Sequence, residues 1–229
     1  MNTRRYIRSL APLLLLIAGA ALAHTVAEGD QDFVRNSSGA QVVPFIYLGA
    51  KHMVTGYDHL LFLAGVIFFL YRLKEVALYV TLFAIGHSTT LLLGVLTGLR
   101  VNPFLIDAII GLSVVYKALD NMDAFRTLFG WQPNAKLAVL FFGFFHGFGL
   151  ATKLQELNLA REGLVSNMLA FNVGVEIGQL LALSAILLVM NYWRRTASFT
   201  RHAYGANVAL LTAGFVLTGL QLTGYATGQ

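Results

Sequence analysis

The 229-residue sequence contains no cysteine. Disulfides and thiolate metal sites are therefore excluded, and any bound metal must be held by imidazole, carboxylate, amide or water. Charge is also scarce: Asp, Glu, Lys and Arg make up only 12% of the residues. No stretch reads as a soluble domain or as a low-complexity tract. Hydrophobic side chains fill the sequence instead, at 57%, with 17 Phe and 22 Gly and a mean hydropathy of +0.67. Apolar runs long enough to cross a bilayer mark an integral membrane protein. The formal charge of +5 does not point to nucleic acid, because the basic residues stand in short clusters between apolar runs, where they fix orientation.

Residues 1–23 carry Arg4, Arg5 and Arg8, then a short apolar run, then Ala21-Leu22-Ala23. This is the pattern of a cleaved signal peptide; the alternative is an uncleaved anchor helix. Cleavage after Ala23 would make His24 the first mature residue, offering an amine and an imidazole together. Residues 24–44 are polar and mixed, a short extracytoplasmic lead-in. Six apolar spans follow within residues 45–223, at about 45–70, 76–96, 103–119, 137–151, 164–192 and 206–222. Pro103 suits a first helical turn, and residues 120–136 are too charged to span. The expected fold is all-α, a polytopic membrane helix bundle of six transmembrane helices after the signal peptide. Arg72, Lys74, Arg126, Lys136, Arg194, Arg195 and Arg201 fall in one set of loops, against Arg100, Lys153 and Arg161 in the other. That bias puts the first set inside and both mature termini outside.

Ionisable side chains inside these runs are the anomaly, since each needs a compensating partner. The densest stretch is His52-Met-Val-Thr-Gly-Tyr57-Asp58-His59 at the start of an apolar segment. On one continuous helix His52 and His59 lie on nearly one face, two turns apart, with Asp58 to the side. Counting residues from the loops places His87, His146, Asp58 and His59 roughly 15 to 20 Å above the inner surface. Glu176 comes out near mid-membrane as well. Four spans thus bring His59, His87, His146, Glu176 and Asp58 to one layer in the outer half of the membrane, with His52 higher, as an outer ligand.

Each residue also has a plainer explanation. A single intramembrane His can be a helix-packing hydrogen-bonder, and Asn172, Glu176 and Gln179 can form a structural polar face. Ser88, Thr89 and Thr90 fit bonds back to helix carbonyls, and Gly143, Gly147, Gly149, Gly174 and Gly178 permit close helix approach. Asp107 reads as a helix N-terminal acid at the outer interface. For the set as a whole, a shared divalent transition metal explains what would otherwise need several separate accounts. Imidazole and carboxylate without sulfur suit Ni, Co, Zn, Fe or Mn, with Tyr57, Ser88, Asn172 and Gln179 orienting the ligands.

The motifs His52-x5-Asp58-His59-Leu-Leu-Phe, Gly86-His87-Ser88-x-Thr90-Leu, Phe145-His146-Gly147-Phe-Gly149 and Asn172-x-Gly174-x-Glu176-x-Gly178-Gln179 occur in that order over residues 45–190. Together they resemble the HupE/UreJ family of bacterial membrane proteins, in its signal-peptide-bearing branch. The resemblance implies a nickel or cobalt permease of the bacterial inner membrane, linked to metalloenzyme maturation, with the His-x5-Asp-His stretch supplying ligands. Leu150 and Lys153 stand near the places where the nickel permease pattern has a second His and a Glu. Expected partners are membrane lipids, the metal ion, and maturation proteins or a second copy of the chain; nucleic acid is not expected. From a different class comes an intramembrane metal-dependent hydrolase acting on a lipid or other hydrophobic substrate, with Glu176 or Asp58 as general base. A side cleft between helices would favour that alternative. A metal sensor without catalytic activity is the third possibility.

Overall fold

A computed structural model of the chain describes residues 28–157 and 159–228. The expected signal peptide, its cleavage site and His24 lie outside the described residues. Among those described, nine helices and no strand are present: α1 (Glu28–Asn36), α2 (Val42–Thr55), α3 (Tyr57–Ile67), α4 (Leu73–Thr97), α5 (Pro103–Asn121), α6 (Ala124–Phe129), α7 (Ala135–Glu156), α8 (Leu164–Arg194) and α9 (Ala197–Thr227). Four of them, α4, α7, α8 and α9, are long and apolar enough to cross a membrane. At 31 residues, α8 is about 46 Å long.

Several boundaries have visible chemical causes. Asn102 caps α5 by accepting the Leu105 N–H at 3.2 Å, with Pro103 in the first turn. Asn134 caps α7 by accepting the N–H groups of Lys136 and Leu137. The lead-in contains a helix, α1, and the 120–136 connection contains α6, while α5 runs on to include Asp120. The last helix begins at Ala197, well before residue 206.

The largest departure from expectation is in the first span. Residues 45–70 do not form one helix: the chain breaks at Gly56, whose ψ of 103° is extended and which ends α2 and precedes α3. Its N–H still bonds to the His52 carbonyl at 2.9 Å, closing the last turn of α2. A Cβ here would lie 2.8 Å from His59 Nδ1 and 3.2 Å from Asp58 Oδ1. Only glycine leaves room for both side chains at this bend.

The helices pack as three close pairs, α2 with α8, α4 with α7 and α5 with α9. In each pair glycines let one backbone approach the other. A Cβ at Gly49 or Gly174 would overlap a carbonyl of the facing helix, and Gly86 and Gly143 do the same between α4 and α7. Gly111 and Gly214 face each other between α5 and α9. The short helix α3 lies among α5, α8 and α9. Phe62, Phe83, Phe171, Met53 and Leu91 are fully buried between the pairs. By contrast, α4 and α8 touch only lightly.

Candidate metal centre

The bend at Gly56 decides where the ionisable side chains go. His52 is in the last turn of α2, and Asp58 and His59 are in the first turn of α3. On a continuous helix His52 and His59 would be about 10 Å apart along the axis. Across the bend their ring centroids are 5.1 Å apart. His87 approaches from the middle of α4 and His146 from the middle of α7, with centroids 6.0 and 5.0 Å from His59. All five residues are buried, and His87 and His146 have no exposed surface.

Two groups have ligand-capable atoms within 4.8 Å of one another: His52, His59 and His87, and Asp58, His59 and His146. His59 belongs to both. Asp58 Oδ1 lies 3.2 Å from His59 Nδ1. His146 Nδ1 is 2.9 Å from the Phe142 carbonyl. A carbonyl only accepts, so Nδ1 carries the proton, and in the neutral ring this tautomer presents Nε2 as the ligating nitrogen. The rings of Phe62, Phe83 and Phe171 pack against these histidines and surround the polar atoms with hydrocarbon. Such a shell limits water and strengthens interactions with a charged guest.

Helix ends contribute as well. The C-terminal end of α2 carries the negative end of its helix dipole and favours a cation, while Asp58 compensates the opposite partial charge at the start of α3. Thr90 fixes the α4 and α7 histidines relative to each other. Its hydroxyl donates to the Phe144 carbonyl at 2.7 Å, across the helix pair. Sequence reasoning gave Thr90 only a bond back to its own helix, which is also present, to Gly86 O at 3.1 Å. Thr89 does bond back, to Ile85 O at 2.7 Å.

The remaining candidates fall elsewhere. Glu176 belongs to neither group; its side chain is exposed. With Ser88, Gln179, Val80, Ile85 and Leu180 it lines a groove of about 460 Å³ where α4 and α8 diverge. Gln179 is 1% exposed, and among the described residues neither of its amide atoms, nor Ser88 Oγ, has a hydrogen-bond partner. Asn172 is buried and donates to Met168 O at 3.0 Å. Tyr57 is 47% exposed. Asp107 is not a solvated helix-start acid: it is buried and paired with Lys153 of α7 at 2.7 Å. The carboxylate is drawn inward by the only long cation on the facing turn, and α7 extends far enough, to Glu156, to present it.

The centre therefore offers imidazole nitrogens and one carboxylate from four helices, with no sulfur. That donor set suits borderline divalent transition metals and does not discriminate sharply among them. A family model described as HupE / UreJ protein matches residues 28–229. No curated protein and no solved structure matches the chain.

Proposed function

The chain belongs to the HupE/UreJ family, and on that premise we propose that it is an integral membrane permease for a divalent transition metal of the nickel or cobalt type. The observation that carries this reading is the convergence of His52, Asp58, His59, His87 and His146 in two buried groups that share His59, where a helix is interrupted. Interrupted helices place ion sites inside membranes, because the broken ends supply partial charges and the break supplies a hinge. Zn, Fe and Mn fit the same donors, so the cargo is a divalent transition metal with nickel and cobalt favoured by the family.

In this reading α2 and α3 together make the first of six crossings, and α5 makes the third despite Asp107, Lys117 and Asp120. The chain sits in the bacterial inner membrane with its mature termini outside, as the loop charges favour. Lipids and the metal surround or occupy it, and maturation proteins or a second copy are its candidate protein partners. His59 would hold the metal in common to both groups, with His52 and His87 completing one and Asp58 and His146 the other. Purified protein in liposomes is expected to take up Ni2+ or Co2+ faster than an Asp58→Ala/His59→Ala variant. Wild-type uptake no faster than that of this variant, for every one of Ni, Co, Zn, Fe and Mn, would refute the permease.

One observation favours a second reading, an intramembrane metal-dependent hydrolase. The groove between α4 and α8 is open and carries Glu176 among apolar walls, a suitable approach for a hydrophobic substrate with a polar head. Metal retained through dialysis against a chelator, with no flux, would support the hydrolase over the permease.

A further inference from the structure

The permease reading leaves one chemical gap: beyond the histidine centre, the route toward the α5 C-terminal end needs another group able to hold a cation. The sequence places Asp120 in the polar connection 120–136, too charged to span. It is instead in the last turn of α5, with its side chain 11% exposed, beside Lys117 at 7%. The Lys117 ammonium and the Gln132 amide both bond to the Asp120 carboxylate. Two further oxygens, Tyr116 Oη and Gln132 Oε1, are buried and have no hydrogen-bond partner among the described residues. Tyr116 and Asp120 share a face of α5, being four residues apart. A carboxylate bonded by an ammonium and an amide thus lies one helical turn from a phenol on the same face of α5.

This cluster is joined to the histidine centre by packed side chains. Phe142, whose carbonyl orients His146, packs its ring on Tyr116 at 5.3 Å. From His146 to Phe142 and from Tyr116 to Asp120 is about 6 Å each along the helix axes. The Lys117 stem in turn lies against Gly65 of α3, where a Cβ would be 3.1 Å from Lys117 Cγ. Asn121 donates to the Gly65 carbonyl and to Asn207 Oδ1, both at 2.9 Å. The half-helix that carries Asp58 and His59 therefore rests its far end on Lys117 and its neighbour.

We propose that Asp120, Gln132 and Tyr116 form a second site for a divalent cation, kept closed in the empty protein by the Lys117 ammonium. A buried carboxylate is costly without a counter-charge. Lys117 supplies that charge from within the chain, so in the wild type a divalent ion arriving from the histidine centre displaces it only transiently and does not accumulate there. Carboxylate, carbonyl and phenol are harder donors than imidazole, so the ion is held more weakly there than at the centre, which suits release. On the orientation proposed above the site is the cytoplasmic exit. Its role as a relay rests on the permease reading; its existence as a site does not.

The test is Co2+ binding to the purified full chain in detergent, by calorimetry. Lys117→Gln is expected to bind one more equivalent of Co2+ than the wild type, and Lys117→Gln/Asp120→Asn is expected to lose that equivalent again. An unchanged number in Lys117→Gln overturns the site, whatever the protein transports. In liposomes, Asp120→Asn is expected to keep wild-type Co2+ affinity within about twofold and to lose at least tenfold in uptake rate. Wild-type uptake in Asp120→Asn overturns the relay. If the wild type itself moves no ion while Lys117→Gln gains its equivalent, the permease fails and the site stands.

Discussion

The histidine centre and the Glu176 groove border neighbouring faces of the same helix: His87 points into the first, and Ser88, one residue on, lines the second. In the first, side chains from four helices meet out of solvent around a bend. In the second, a carboxylate, an amide and a hydroxyl line an open cleft between two helices that barely touch. Being at one depth is thus not enough to make a site. Convergence needs the helices to be turned toward each other, and the glycine pairs decide that.

Substitutions break this comparison in graded steps. The largest effect is expected for His59→Ala, which removes the residue common to both ligand groups. Metal affinity, measured by equilibrium binding, should fall by about 100-fold or more, since even residues supporting a ligand are worth roughly 10- to 100-fold. Glu176→Gln should change it less than about threefold by the same measure of ligand support; a large loss would place Glu176 in the centre after all. Gly56→Ala comes next. Its methyl group would press on His59 Nδ1 and Asp58 Oδ1, and affinity should fall by about 10- to 100-fold with the helix content unchanged by circular dichroism.

Smaller still is Thr90→Val, which removes the tie between α4 and α7. About 1 kcal/mol of stability is expected to be lost, read as a lower thermal midpoint in detergent, together with a modest weakening of metal binding. The smallest effect belongs to the groove. Gln179→Leu replaces a buried amide that has no hydrogen-bond partner among the described residues, so stability should hold or rise by up to about 1 kcal/mol with metal affinity unchanged. A fall in stability would show that the amide is bonded through water or lipid.

Much of this was legible in the sequence, for identifiable reasons. Residue counting from charged loops fixes position along a helix axis at 1.5 Å per residue, and it brought Asp58, His59, His87 and His146 to one level. It does not fix rotation about the axis, which is why Glu176 was grouped with them. The sequence did hold the missing signal. Gly174 and Gly178 face α2, and a residue two positions from each is turned about 200° away from that face. The break at Gly56 was harder to read, because a lone glycine is tolerated inside many helices. What requires it is the crowding of His59 and Asp58, a tertiary fact. The break also explains why His52, counted as an outer residue, lies beside His59. Asp107 is expected at the outer interface and Asp120 in the polar connection, because charge suggests a boundary; instead Asp107 is buried and pairs with Lys153, which shows only once α5 and α7 are packed together, while Asp120 is largely covered and pairs with Lys117 one turn back on α5 itself.

The central claim is that imidazoles from separate helices bind one divalent ion at the Gly56 bend. X-ray absorption at the metal edge of purified, Ni2+-loaded or Zn2+-loaded protein tests it most directly. The account predicts at least three imidazole nitrogens, at about 2.0 to 2.1 Å for Zn2+, with the signal lost in His59→Ala and retained in Glu176→Gln. A shell of oxygen donors without imidazole scattering, or a spectrum unchanged by His59→Ala, would contradict it.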